Sequence, residues 1–391
     1  MSPKLPAVTP ADLVQGTCDP RFDVLADLLG GSISSGNDLG ASLAVMEGDE
    51  LVVDLWGGWK DPDRSEPWLE DTITNVWSTT KTMTTLCALV LVERGLLDVF
   101  APVSQYWPDF AANGKANIEV RHLMAHTSGI PFWEAPFGLD ELYDWDRAVA
   151  HLATQAPCWE PGTASGYHSL NQGHLVGEVI RRIDGRTIGR FFAEEVARPL
   201  GADFHIGLDP IHDHRITNVV PPEPVEPDPT APAPAEFLTR KAPMIDADIA
   251  WTPEWRRAEI GAANGHGNAR SVALVQSVVA NGGRTRSSQG ELVELLSPAT
   301  IDLIFHEQSY GPDLVLGDVH RFGIGYGLPS PERTPELPAG RICHWGGWGG
   351  SSIIVDTERR LTIAYMMNRM VSGDAGDDRS EALVRTTYAL L

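Results

Sequence analysis

The stretch Ser78–Arg94, STTKTMTTLCALVLVER, contains neither proline nor glycine and is apolar on almost every side from Met83 onward. That pattern predicts a helix buried on most of its surface, not an amphipathic one lying at the periphery. Gly95 stands where such a helix would end. The first four residues read S-x-x-K, which places Ser78 and Lys81 on one helical face, one turn apart. A serine hydroxyl is a poor nucleophile until a neighbour takes its proton, and a lysine can do so when burial weakens its hold on its own proton. The start of a helix adds unpaired N–H groups and the positive end of its dipole, both of which favour an anionic transition state. The motif alone is weak, because with only five lysines in the chain chance still yields such a pair in roughly one chain in four. Its position on an otherwise uncharged apolar helix raises it above the alternative of a capping serine with a snorkelling lysine.

Working outward, Leu43–Trp56 reads as two strands around Gly48-Asp49, with Leu51, Val53 and Leu55 alternating with the residues between them. Near the other end, Ser352–Val355 and Leu361–Met367 form a second such pair about the charged turn Asp356–Arg360, and Arg379–Leu391 has the helical spacing of Leu383, Val384 and Tyr388. Between them lie helical runs such as Arg147–Gln155 and Gly173–Ile183, with few alternating patterns. The expected fold is therefore α/β (α+β), an antiparallel sheet built from residues 1–100 and 290–391 and flanked by helices, with a mainly helical domain, 101–289, inserted. Pro221–Glu236, PPEPVEPDPTAPAPAE, is too proline-rich for a helix or a central strand and is expected to be an extended surface loop or a flap over the site. No G-x-S-x-G elbow occurs, so a serine site of the α/β-hydrolase kind has no place to sit.

Composition narrows the function. The 391 residues are 42% apolar and include 12 tryptophans, enough for a large core. A net charge of −23, from 53 acidic and 30 basic residues, repels polyphosphate and anionic lipid, so neither nucleic acid nor membrane is an expected partner. No stretch approaches the roughly 20 apolar residues of a membrane span. Met1–Asp12 lacks the apolar segment of a signal peptide, which makes the cytoplasm the expected location. Cys18, Cys87, Cys158 and Cys343 lie far apart without a C-x-x-C pair and are expected to be free, mostly buried thiols. Acid pairs or His and Asp clusters at metal spacing are missing, so no metal and no organic cofactor is expected.

Four segments carry a family resemblance: the sequence around Ser78, HLMAHTSG at 122–129, Tyr167 within GYHSLNQG, and HWGGWGGS at 344–351. In this order they resemble the class C β-lactamases and the family VIII carboxylesterases, serine enzymes that carry S-x-x-K, Y-x-N and a K-T-G-like triplet. The resemblance spans most of the chain and implies a β-lactamase/transpeptidase-like fold. It also implies Ser78 as nucleophile, Lys81 as its hydrogen-bonded partner and Tyr167 as proton shuttle to the leaving group. A phenol with a pKa near 10 is a poor base at neutral pH, so its phenolate needs a cation such as Lys81 beside it.

Departures from the family pattern bear on substrate. Ser169 stands where the lactamases have asparagine, and His344-Trp345-Gly346 where they have Lys-Thr-Gly, residues suited to holding a carboxylate. A bulky indole suits a neutral, partly apolar substrate, which points to hydrolysis of small carboxylic esters. The resemblance implies the backbone N–H groups of Ser78 and Gly347 as the oxyanion hole, where glycine lets the backbone approach the reacting carbonyl. Trp345 and Trp348 are expected to line the pocket. His344 either hydrogen-bonds near the site or, when protonated, replaces the missing cation. His126-Thr127-Ser128-Gly129 reads as a structural turn and Asn268 as the N-cap of a helix over Ala269–Val279. The rival functions are a β-lactamase, D-amino-acid peptidase or amidase using the same residues, a Ser78–His344 pair with an acid, and a non-catalytic ligand-binding relative.

Overall fold

The computed structural model describes residues 13–224, 235–372 and 377–391. Its main sheet comprises β1 (Val14–Cys18), β2 (Gly40–Glu47), β3 (Glu50–Gly58), β4 (Ile342–Gly346), β5 (Ser352–Asp356) and β6 (Leu361–Met367), all antiparallel, in the order β1-β3-β2-β6-β5-β4. The first and last parts of the chain meet at the β2–β6 seam, where Leu43 lies opposite Tyr365 and Val45 opposite Ile363. Both expected hairpins form, the first turning at Gly48 with φ +58°, a left-handed value that glycine adopts without strain.

The helices that frame the site are α1 (Asp23–Ser35), α2 (Thr80–Glu93), α3 (Val120–Met124), α4 (Trp145–Thr154), α5 (Asn171–Asp184), α6 (Ala269–Ala280) and α7 (Asp378–Leu390). Because successive side chains in a strand point to opposite faces, each central strand serves two helical layers. Leu43, Val45 and Leu55 turn towards α1, which packs against α7. On the other face, the Ser42 hydroxyl accepts from the Ala269 N–H at 3.1 Å and Asp54 pairs with Arg270 at 2.6 Å, which docks α6. This two-sided cover is why every residue of β6, and of β2 up to Met46, is buried. As expected, Asn268 caps α6, its side chain accepting from the Ser271 N–H. Yet α6 lies inside the stretch 101–289 assigned from sequence to the helical insertion, and it covers the sheet instead. Periodicity reports that a helix is buried without reporting which surface it meets.

Helix α2 is buried from Thr80 to Leu91, as its all-round apolarity requires, and packs against α5. Its threonines are tolerated because each hydroxyl donates to a carbonyl: Thr82 to Thr79 at 2.8 Å, Thr84 to Gly261 at 2.6 Å and Thr85 to Gly325 at 3.2 Å. Ser78 falls in a 3-10 turn, Trp77–Thr79, just before the α-helix. The runs 147–155 and 173–183 correspond to α4 and α5. Of the proline-rich stretch, residues 225–234 lie outside the described residues. All four cysteines are free; Cys87 and Cys343 are buried, Cys18 and Cys158 half-buried. Among the described residues, no helix is long and apolar enough to cross a membrane.

Candidate active site

Ser78 sits at the head of α2, where it borders a cavity of about 540 Å³. The residue before it, Trp77, holds φ at +49°, uncommon for a bulky side chain and maintained here by its ring packing against Trp255 (5.6 Å) and Trp348 (5.0 Å). One turn on, the Lys81 Nζ lies 3.2 Å from the Ser78 Oγ and donates to the carbonyls of Ser169 (2.8 Å) and Ala262 (2.9 Å). Lys81 is fully buried, and among the described residues no carboxylate pairs with it. Loss of water around the ammonium lowers its pKa well below the ordinary 10.5. A neutral amine has two N–H donors and one lone pair. The two carbonyls take the donors, which leaves the lone pair for the Ser78 hydroxyl.

Tyr167 is held by its backbone and by its ring. Its N–H donates to Asp313 Oδ1 at 2.9 Å, an oxygen that also accepts from the N–H groups of Val315 (2.9 Å) and Leu316 (3.0 Å). The ring face meets the Lys81 Nζ, 4.8 Å from its centroid, and packs against His126 at 4.8 Å and Trp345 at 6.2 Å. Thus the 126–129 turn is structural, as its sequence suggests, and it also forms the wall behind the tyrosine. His126 Nδ1 accepts from the His168 N–H at 3.1 Å, and the Ser128 hydroxyl lies 2.6 Å from His168 Nε2. Burial pushes His126 well below its usual range and His168 down to about 4, so both rings are neutral at pH 7 and add no positive charge beside Lys81.

The third motif lies on β4, an edge strand whose backbone groups point alternately towards β5 and away from it. Gly347 N–H points towards β5, donating to the Ser351 carbonyl at 2.8 Å. It is therefore unavailable to an oxyanion, and the sequence assignment is corrected. The N–H groups of the opposite parity belong to His344, which donates to the Gly327 carbonyl at 3.0 Å, and to Gly346 and Trp348. Those of Trp348 and Ser78 donate to no acceptor among the described residues. The two-residue alternation of the strand thus turns the Trp348 N–H, not that of Gly347, away from β5. Gly347 is small for a different reason. A Cβ there would collide with the Val76 carbonyl and the Ser351 hydroxyl and would lie 3.2 Å from the Ser78 nitrogen. Ser351 ties this turn to α2 by donating to the Val76 carbonyl at 2.8 Å and lying 3.0 Å from the Thr79 hydroxyl. Gly347→Ala is expected to push the two motifs apart and lower kcat about tenfold or more, checked by steady-state kinetics alongside a melting curve.

His344 lines the cavity, but burial pushes it down to about 4, so it is neutral and does not replace the missing cation at pH 7. Trp345 is 6% exposed, wedged between His126 (5.5 Å) and Phe322 (5.8 Å). Ser169 contributes its carbonyl to Lys81 and also borders the cavity, with Gly346 and Trp348. Much of the remaining wall is apolar, including Leu170, Met244, Ile245, Leu316, Leu328 and Val384. Arg321 and Arg333 also line it, paired with Glu307 (2.7 Å) and Asp318 (2.5 Å). Asp313 had no sequence signal, being 146 residues from the tyrosine it holds. Among the described residues, no group of three or more potential metal ligands occurs.

Comparisons with known proteins bear on this geometry. The family described as Beta-lactamase matches residues 26–386. An esterase/beta-lactamase of Mycobacterium tuberculosis, LipL, is 31% identical over 371 residues, covering 92% of this chain and 84% of its own. The crystal structure of a family VIII carboxylesterase superimposes with a TM-score of 0.89 at 38% identity, over 97% of this chain and 100% of that one. A penicillin-binding protein homologue from Caulobacter crescentus gives a TM-score of 0.86 at 34% identity, again over 97% and 100%.

Proposed function

This chain belongs to the beta-lactamase family and is a serine hydrolase, and from that premise we propose that it hydrolyses small carboxylic esters through an acyl-enzyme on Ser78. The observation that carries the proposal is the buried Lys81, whose Nζ lies 3.2 Å from the Ser78 Oγ and donates to the Ser169 and Ala262 carbonyls, so that its neutral form keeps a lone pair for the Ser78 hydroxyl. Ser78 attacks the ester carbonyl while its proton passes to Lys81, and the carbonyl oxygen takes up negative charge between the N–H groups of Ser78 and Trp348. Tyr167, against Lys81, passes the proton to the departing alcohol. In the second half, water activated by the same pair attacks the acyl carbon and frees the acid.

Taking Trp348 as the second oxyanion donor moves the triplet by one residue, so that Trp345, Gly346 and Ser169 take the places that the family resemblance gives to a lactamase's lysine, threonine and asparagine, which supports the ester preference. An aryl acetate is expected to be cleaved at least about 100-fold faster, in kcat/KM, than nitrocefin. Comparable rates on a substrate panel would favour the β-lactamase reading, which the penicillin-binding protein homologue keeps in view. The assignment of the nucleophile is tested by a fluorophosphonate probe with peptide mass mapping. A single adduct on the peptide containing Ser78 is expected, and an adduct elsewhere, or none, overturns it. Four free cysteines fit a reducing compartment and support a cytoplasmic location.

A further inference from the structure

Behind the turn that follows the third motif lies a buried ionic cluster with no part in the proton transfers above. Arg379, in the first turn of α7, uses all five of its N–H donors. Nε donates to Asp377 Oδ1 at 2.9 Å, and Nη2 to Asp377 Oδ2 at 2.5 Å and to the Gly349 carbonyl at 3.0 Å. Nη1 reaches Asp38 Oδ1 at 2.9 Å and the Arg369 carbonyl at 3.0 Å. Asp38 is fixed in turn by the hydroxyls of Tyr365 and Ser32, each at 2.6 Å. Arg379, Asp377 and Asp38 are at most 7% exposed at their side chains, so the cluster is an internal structure and not a surface pair.

The Gly349 carbonyl is one residue beyond Trp348, in the turn that Gly347 and Ser351 close. It also accepts from the Val371 N–H at 3.0 Å. Gly350, with φ +126°, has no room for a Cβ, which would strike Asp377 Oδ2 and come 2.7 Å from Arg379 Nη2. The turn is thus clamped against the guanidinium from behind, and it carries the Trp348 N–H, which has no acceptor among the described residues, directly after Gly347, where a Cβ would lie 3.2 Å from the Ser78 nitrogen. We infer that Arg379, oriented by Asp377 and Asp38, is a positioning residue that sets the Trp348 N–H for the oxyanion of the acylation and deacylation steps. This rests on the proposed reaction at Ser78.

Lysine in place of Arg379 keeps the charge that Asp38 and Asp377 require, but its three donors radiate from one nitrogen and cannot span Asp377, Asp38 and the Gly349 carbonyl as the planar fork does. Arg379→Lys is expected to lower kcat on an aryl ester at least about tenfold, with KM within about twofold. Rates are expressed per active site titrated with the fluorophosphonate, so that a loss of folded protein does not count. The inhibition constant of an aryl trifluoromethyl ketone, whose tetrahedral adduct needs the same N–H groups, should rise by the same factor as kcat falls. If Arg379→Lys does not fold, Asp377→Asn, which keeps the cap on α7, is expected to lower kcat about threefold or more. An unchanged kcat per titrated site in the folded variant overturns the inference, as does a fall in kcat with ketone affinity unchanged. A wild-type enzyme that the probe does not titrate at Ser78 instead overturns the reaction itself.

Discussion

Ser78→Ala is expected to lose at least about 10⁴-fold in kcat/KM on aryl esters while melting within a few degrees of the parent protein. The size of the loss follows from the chemistry, since no acyl-enzyme can form without the hydroxyl and Lys81 then has nothing to deprotonate. The mild effect on folding follows from the contacts. The hydroxyl's bond to a described partner is the 3.2 Å contact with Lys81, whose two carbonyl partners remain in place. Kinetics on two esters together with a thermal melt check both halves. A folded Ser78→Ala protein with parental turnover would remove the serine from the mechanism and return attention to other groups in the cavity.

The second large effect is at Lys81. Lys81→Met keeps the length of the side chain and the apolar packing, and is expected to cost about 10³-fold in kcat/KM, within the range for loss of a general base. The pH dependence gives a separate test. Burial lowers the pKa of Lys81, so the reactive neutral form grows as pH rises through that depressed value. Activity should therefore fall on the acid side with one ionisation, and that limb should be missing from the residual rate of Lys81→Met. Stability carries the same signature. Between the depressed folded value and the ordinary 10.5 the unfolded chain binds one proton more at this site, so the term from Lys81 favours the folded state increasingly as pH rises. Urea unfolding at pH 7 and pH 9 should show a larger gain for the parent than for Lys81→Met. An acid limb that survives unchanged in the variant would assign the titration to another group.

Local signals were legible wherever one face or one helical turn decides the outcome. Ser78 and Lys81 are three residues apart, so helical geometry alone brings them together, and the absence of glycine and proline up to Arg94 announced the buried helix. The two hairpins were equally clear, since Gly48-Asp49 and Asp356–Arg360 each separate runs of strand character. The oxyanion assignment failed for a reason equally local. Gly347 and Trp348 are adjacent, and only the partner of each N–H tells which one faces β5. His344 likewise has a residue type able to take up a proton at neutral pH, but desolvation of its ring pushes its pKa down to about 4.

What the amino-acid sequence by itself determined is the closeness of the Ser78 hydroxyl and the Lys81 amine, the sheet joined from both ends of the chain, and the family pattern in its order. Short-range periodicity and chemically distinctive residues carry that information. Tertiary structure alone decided that the amine is dry and bonded to the Ser169 and Ala262 carbonyls, that Asp313 holds Tyr167, that α6 covers the sheet, and that Arg379 braces the turn beside Trp348. Each of these depends on groups far apart in the chain, where a residue's type does not reveal its partner, and on exclusion of water, which only the packed molecule achieves.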